Sequence, residues 1–370
     1  MSCVPPAVTS GAVGLTVEDM EKVAQSHDPC GPTSYPWGVV SCAQHIGRRR
    51  RQEDRFTICP DLGVGERSAF VGVWDGTVGD FASHNVQGLV LPHTVASPAW
   101  QELAAGGAAP RPLLERAVRE GYVAADAQLV ALCAEANNDY ASTTSVTAVI
   151  ANDVLTVAHL GDSRAVLVDV DESTGSVSGA QLTADHKPDL PEERARIEAS
   201  GGSVEFLTDS HFKPFIRGGD FLARKAQGGK PMQLQYSRAF GGKDLKPYGL
   251  SCVPDVVQVD LASTPRARYL ILASDGLWDV CTAADAAHIA HLVVSKRAEA
   301  EAVAAPAVGG GDAGTAGAGR GATPASLDPS VALVNFALEQ QQLRGDKADN
   351  VTVLTVELPP AGRATAPSAT

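Results

Sequence analysis

The sequence predicts a protein of mixed α and β structure, with acidic residues at the ends of its buried strands. Three observations carry this. Phe70-Val71-Gly72-Val73-Trp74 and residues 269–273 are short apolar runs of strand length, and both lead into an Asp-Gly pair, Asp75-Gly76 and Asp275-Gly276. Between them, residues 81–138 carry apolar side chains at helical spacing. Beyond that stretch the chain turns β-rich, and Asn152-Asp153 between two apolar runs reads as a tight hairpin turn.

In chain order, residues 17–25 are a short helical candidate, and residues 38–42 and 56–59 read as strands that precede Phe70 to Trp74. Residues 81–138 read as two helices. In the second, Leu113, Leu114, Val118, Tyr122, Val123, Ala127, Leu129 and Val130 recur at helical spacing, while Pro92, Pro98 and Pro110 interrupt the first or lie in the connection. Residues 146–150 and 154–158 form the hairpin, and 164–168 a further strand. Residues 191–200 read as a helix stopped by Gly201-Gly202. Residues 203–236, glycine-containing and weakly periodic, read as a loop or flap. Helices near 285–296 and 331–341 precede a last strand at 351–356.

This divides the chain into an N-terminal extension (1–36), one domain (37–358) and a tail (359–370). The Gly/Ala-rich stretch at about 304–324 offers too little apolar surface to offset its own ordering entropy, and reads as a disordered insertion within the domain; the tail has the same character.

Composition narrows the function. A formal charge of −13 argues against nucleic acid or an anionic membrane as partner. No apolar run approaches the roughly 20 residues that span a bilayer. Residues 1–17 lack the pattern of a signal peptide, and Ser2 stands where myristoylation needs Gly. The seven cysteines are scattered, with no Cys-x-x-Cys pair, which argues against a zinc site or disulfide framework and for a reducing compartment. The expectation is a soluble cytoplasmic protein; the run Arg48 to Arg51 leaves nuclear import open.

Asp75 and Asp275 follow apolar strands, Asp349 precedes one, and Glu53-Asp54 precedes residues 56–59. Strand ends hold side chains rigidly. If these acids converge, they make an oxygen-rich site suited to Mn²⁺ or Mg²⁺. For one Asp-Gly pair alone, an ordinary turn is the better reading.

The flanking residues change that balance, because they carry a family resemblance. Arg49-Arg50-Arg51-Gln52-Glu53-Asp54, Asp75-Gly76-Thr77-Val78-Gly79, Ser142-Thr143-Thr144 with Gly161-Asp162-Ser163-Arg164, Thr183-Ala184-Asp185-His186-Lys187-Pro188, Ser237-Arg238-Ala239-Phe240-Gly241, Ser274-Asp275-Gly276-Leu277-Trp278-Asp279 and Asp349-Asn350-Val351-Thr352 resemble, in order, the motifs of PP2C-type metal-dependent serine/threonine protein phosphatases. The resemblance implies an α+β fold, a β-sandwich of two antiparallel sheets flanked by helices on both faces. It implies two Mn²⁺ or Mg²⁺ ions, and a third, weaker one in some members. Asp75 matches the carboxylate that bridges the two ions and Gly76 a carbonyl ligand. Asp275, Asp349 and Glu53 match further ligands, and Asp162 the acid of the third site. Arg49 matches the phosphate-binding arginine, whose forked donors suit phosphate oxygens. The implied reaction is hydrolysis of phosphoserine and phosphothreonine in proteins by a water acidified between ions about 3.5–4 Å apart. A monomer acting on phosphoproteins is expected.

Thr77 stands where the family pattern has a His that helps protonate the leaving group, and Val78 replaces a glycine. Thr77 keeps a second reading in view, a pseudophosphatase that binds without catalysis. His159 and His186 read as satisfied structural histidines rather than ligands, and the glycosylation sequon at Asn350 as chance.

Overall fold

The computed structural model describes residues 31–35, 37–64, 67–106, 110–151, 153–207, 213–304, 327–345 and 348–358. The helix expected at 17–25, the insertion and the tail lie outside them, apart from residue 304.

The strands are β1 (Thr33–Tyr35), β2 (Gly38–His45), β3 (Arg55–Cys59), β4 (Ser68–Trp74), β5 (Gly76–Thr77), β6 (Ser142–Thr143), β7 (Ser145–Ala151), β8 (Val154–Leu160), β9 (Arg164–Asp171), β10 (Ser176–Gln181), β11 (Ser203–Leu207), β12 (Lys213–Arg217), β13 (Gln233–Leu234), β14 (Phe240–Gly241), β15 (Asp255–Asp260), β16 (Ala267–Ala273) and β17 (Val351–Glu357). Two antiparallel sheets dominate, one in the order β1-β2-β17-β16-β9-β10 and one in the order β15-β8-β7-β4-β3. The expected hairpin is β7 against β8, in register from Ser145↔Leu160 to Ala151↔Val154.

Strand alternation builds the layers. Val71 and Val73 of β4 face the six-stranded sheet and pack with Val146, Ala148, Leu155, Leu270, Leu272 and Leu354 in a core between the sheets. Their neighbours Phe70 and Trp74 face outward, against Leu91, Leu114, Tyr122 and Leu129. On the other sheet Val166, Val168, Ile271 and Val353 face Ala286, Ala287, Leu333 and Val334. The result is a β-sandwich with helices on both faces.

The helical stretch differs from the expectation of two helices. It forms four: α1 (Phe81–Val86), α2 (Val90–Ala96), α3 (Pro98–Ala104) and α4 (Pro110–Glu135). Proline explains two of the starts, since it is tolerated in a first turn and not in a helix interior. Pro98 opens α3, capped by Ser97 Oγ, which accepts from Trp100 N at 3.2 Å, and Pro110 opens α4. Gly121 lets α4 approach α2 closely, because a Cβ there would lie 2.1 Å from Thr94 Oγ1.

Residues 203–236 also differ from the expected loop. β11, β12 and β13 form a small antiparallel sheet, and residues 221–226 a helical turn, beside the helix α5 (Pro191–Ala199). On the far face, α6 (Ala283–Ala304) and α7 (Pro329–Arg344) cover the six-stranded sheet. Asp328 caps α7 by accepting from Ser330 N at 2.8 Å, and Gly345 closes it at φ 73°.

Candidate metal centre

At one end of the sandwich lies a cavity of about 850 Å³, lined by Arg49, Glu53, Asp75, Gly76, Thr77, Asp162, Tyr236, Asp275 and Asp349, among others. Of the residues singled out in the sequence for this chemistry, Arg49, Glu53, Asp75, Gly76, Asp162, Asp275 and Asp349 all line this single cavity, and Asp54 does not.

Local structure holds each in place. Asp75 follows β4, and its carbonyl accepts from Thr144 N at 2.9 Å and Thr143 Oγ1 at 2.8 Å. Gly76 is packed so closely that a Cβ would lie 2.5 Å from Glu53 O and 2.7 Å from Ser83 Oγ. Asp275 opens the turn Asp275–Trp278 directly after β16. Gln341 of α7 joins two of these loops, donating to Gly276 O at 2.7 Å and accepting from Asp349 N at 3.0 Å. Asn350 joins a third: its Oδ1 accepts from Glu53 N at 2.8 Å, and its Nδ2 donates to Ile46 O and Arg51 O. Asn350 is 5% exposed and its amide is spent on these bonds, which leaves the sequon without an accessible acceptor.

The electrostatics are those of acids collected without enough positive charge. Burial first, then the neighbouring carboxylates Asp54, Asp275, Asp349 and Asp162, hold the Asp75 carboxyl well above the usual range. Asp275 is raised in the same way, by burial and then by Asp162, Asp279, Asp349 and Asp54. Asp54 lies beneath them, 1% exposed. Its Oδ2 accepts from Ser274 Oγ at 2.8 Å and Thr352 Oγ1 at 2.7 Å, while its Oδ1 is buried with no donor among the described residues except the neighbouring Asp75 carboxyl when that is protonated. Burial is the main cause that lifts Asp54 to about 6. An orphaned buried oxygen, beside raised carboxyls and in an all-oxygen donor set, fits hard divalent cations.

The remaining expected residues have specific partners. Glu53 Oε2 accepts from Gly79 N at 3.0 Å. Arg49 donates to Asp349 Oδ2 at 2.6 Å, so it stands at the rim bound to an expected ligand. Asp162 Oδ2 accepts from Lys187 Nζ at 2.5 Å. Val78 takes φ 64°, a left-handed conformation that is strained for a β-branched residue. Thr77 Oγ1 accepts from Tyr236 Oη at 2.7 Å.

Sequence reasoning named Asp54 beside Glu53, but missed Asp279, Lys187, Tyr236 and the structural part of Asn350. A signal existed for one of the missed residues: Asp279 lies one helical turn beyond Asp275. Tyr236 reaches the cavity, and Lys187 reaches Asp162 on its wall, only through the tertiary fold.

A different cluster, His159, His186 and Asp255, brings its ligand atoms within 4.8 Å of one another. The two rings stack at 4.4 Å with planes 14° apart, so their in-plane lone pairs run along separate lines instead of meeting at one ion. His186 is held by Gly161 N at Nδ1 and by Asp255 at Nε2. His159 is held at Nε2 by Ala184 O, but its Nδ1 has no partner, which corrects the reading of a fully satisfied histidine. Burial pushes His159 down to about 4. These histidines are structural.

The likeness to known proteins follows the same geometry. A crystal structure of a serine-threonine phosphatase 2C from Toxoplasma gondii is 46% identical and superposes with a TM-score of 0.76 over 90% of this chain and 98% of that one. A probable protein phosphatase 2C of Oryza sativa subsp. japonica is 31% identical over 366 residues, 91% of this chain and 80% of its own length. A probable protein phosphatase 2C of Arabidopsis thaliana is 33% identical over 248 residues, and the match spans 66% of this chain and 54% of that relative. The family profile described as Protein phosphatase 2C matches residues 39–308, a span that holds Arg49, Glu53, Asp75, Asp162 and Asp275. With the sandwich, the acids at its end and these matches in agreement, the chain belongs to the protein phosphatase 2C family.

Proposed function

We propose that the cavity is the catalytic centre of a protein serine/threonine phosphatase that depends on two divalent cations, Mn²⁺ or Mg²⁺. The observation that carries this reading is the set of carboxylates Asp75, Asp162, Asp275 and Asp349 gathered on one cavity above the buried Asp54, with Arg49 at its rim. Glu53, Asp75, Gly76, Asp275 and Asp349 would hold the ions. When bound, the cations supply a water acidified towards neutrality and offset the charge of the phosphoryl group.

The chain's own residues do the rest. Arg49 offers a planar fork for two phosphoryl oxygens and leaves Asp349 to do so. Asp54 anchors the floor through Ser274 and Thr352, and keeps Asp275 and Asp349 in register. Asn350 and Gln341 fix the loops relative to one another, so substrate meets a preformed site. Asp162 is engaged by Lys187, an internal cation, which favours two ions over three.

The substrates proposed are phosphoproteins, and the active species a monomer. Among the described residues no helix is long and apolar enough to cross a membrane. The five described cysteines form no disulfide, which supports a reducing compartment, the cytoplasm.

The test is turnover of a phosphothreonine peptide with Mn²⁺ and with EDTA. Activity is expected to need the ion and to be lost in EDTA; Asp75→Asn is expected to be the most damaging single change. Full activity in EDTA would overturn the reading.

A further inference from the structure

We infer that Thr77 is a catalytic hydrogen-bond donor to the leaving-group oxygen, and that Tyr236 is the residue that aims it, an inference that rests on the phosphatase reading above. Thr77 sits on β5, two residues after Asp75, and lines the cavity. Tyr236 is 6% exposed and comes from a segment 159 residues away.

The direction of the hydrogen bonds carries the argument. Tyr236 donates its hydroxyl proton to Thr77 Oγ1 at 2.7 Å. A phenol has one proton, so the 3.3 Å contact between Ser142 Oγ and Tyr236 Oη must have Ser142 as donor. Thr77 is thus an acceptor towards Tyr236, and its own proton must turn elsewhere. Among the described residues no hydrogen bond donated by Thr77 is found, and the cavity is on its open side. Ser142, Tyr236 and Thr77 form a chain of hydroxyls polarised in one direction, from the buried β6 strand out to the cavity beside Asp75. Such chains strengthen their last donor.

On the phosphatase reading the ester lies in this cavity, and the last donor opens onto it. When a water oxygen bonds to phosphorus, the bond from phosphorus to the serine or threonine oxygen breaks, and negative charge builds on that oxygen. It ends by taking one of the water's protons, so the net reaction is ester plus water to alcohol plus phosphate. Thr77 holds the departing oxygen by a hydrogen bond as the charge appears and is itself unchanged. A fixed donor of this kind is worth about 10²–10³ in kcat at other enzyme sites. This also gives a reason for threonine where no titrating side chain stands: a hydroxyl already polarised from behind does not need to titrate.

The experiment measures kcat for a phosphothreonine peptide and for p-nitrophenyl phosphate at saturating Mn²⁺, with melting temperatures alongside. The aryl oxygen is a far better leaving group and needs the donor less. Thr77→Val and Tyr236→Phe are each expected to lower the ratio of peptide to aryl kcat at least tenfold with little change in peptide KM. Thr77→Ser, which keeps the hydroxyl, is expected to retain the ratio. The double variant Thr77→Val/Tyr236→Phe should be no worse than Thr77→Val alone, because Tyr236 acts only through Thr77. A wild-type ratio in Thr77→Val would overturn the donor role. A wild-type ratio in Tyr236→Phe, or additive losses in the double variant, would overturn the aiming role. No turnover of either substrate by the wild-type protein would sink the phosphatase reading itself, and this inference with it.

Discussion

At Asp54, which is 1% exposed, one carboxylate oxygen takes two hydrogen bonds and the other has no donor among the described residues once Asp75 is ionised. Such an atom costs about 1–3 kcal/mol unless something else pairs with it. Asp54→Asn would keep an acceptor for Ser274 and Thr352 and turn an amide towards Asp75, replacing repulsion by a hydrogen bond. The variant is expected to be more stable than wild type in EDTA by about 1–2 kcal/mol, and to bind Mn²⁺ about 10–100-fold more weakly. Thermal melts in EDTA and calorimetric titration with Mn²⁺ check the two halves separately. A variant that is destabilised in EDTA would show that Asp54 serves packing and not the charge of the site. Val78 carries a related signature: its φ of 64° costs on the order of 1–3 kcal/mol in a loop that also holds Gly76 and Gly79.

Among the elements, α5 shows how the polar framework is built. Its Glu193 is 3% exposed and accepts from Arg196 at 2.6 Å, from Arg238 at 2.7 Å and from Ser237. Burial pushes this carboxyl up, but the three donors outweigh it and bring it to about 2. A depressed carboxyl stabilises the fold above its unfolded value, 4.5, and loses that contribution as pH falls towards 2. Glu193→Gln is expected to cost about 3 kcal/mol at pH 7, because two guanidinium groups lose their shared anion. The deficit should shrink as pH is lowered from 4.5 towards 2. A deficit independent of pH would assign the loss to shape and not to charge. The same region marks what was legible in the sequence. β4 and β16 are continuous apolar runs buried on both faces, and they announced themselves. β10 (Ser-Val-Ser-Gly-Ala-Gln) is largely exposed, and β11 to β13 are polar and short, so neither carries a period that could separate strand from loop. The site divides in the same way. Asp75, Asp275 and Asp349 were legible because an apolar strand delivers each of them. Adjacent Glu53 and Asp54 could not be told apart by direction, and the Tyr236 contact with Thr77 spans 159 residues of chain.

For the whole molecule, the acids at the sandwich end set a conflict between folding and function that the ions resolve. Asp54, Asp75 and Asp275 are raised by burial first and then by carboxylates around them, Asp54 to about 6 from an ordinary 3.8. A carboxyl raised in the folded state binds its proton more tightly there than in the unfolded chain. Its contribution to stability is therefore complete below the unfolded value and is lost as pH rises through the folded one. Metal-free protein should lose stability from this cluster between about pH 4 and pH 6 and beyond, opposite in sign to the Glu193 effect at lower pH. Bound cations need these carboxylates ionised, so the loaded protein has no protons to lose there. Binding at 100 times the dissociation constant adds about 2.7 kcal/mol to the folded state. The difference between unfolding free energies with saturating Mn²⁺ and with EDTA is thus expected to widen from pH 5 to pH 7.5, by about 1 kcal/mol from Asp54 alone and by more with Asp75 and Asp275. Denaturant titrations in the two conditions at both pH values measure it. A gap of constant size would mean that the ions do not bind at this cluster, whatever their effect on turnover.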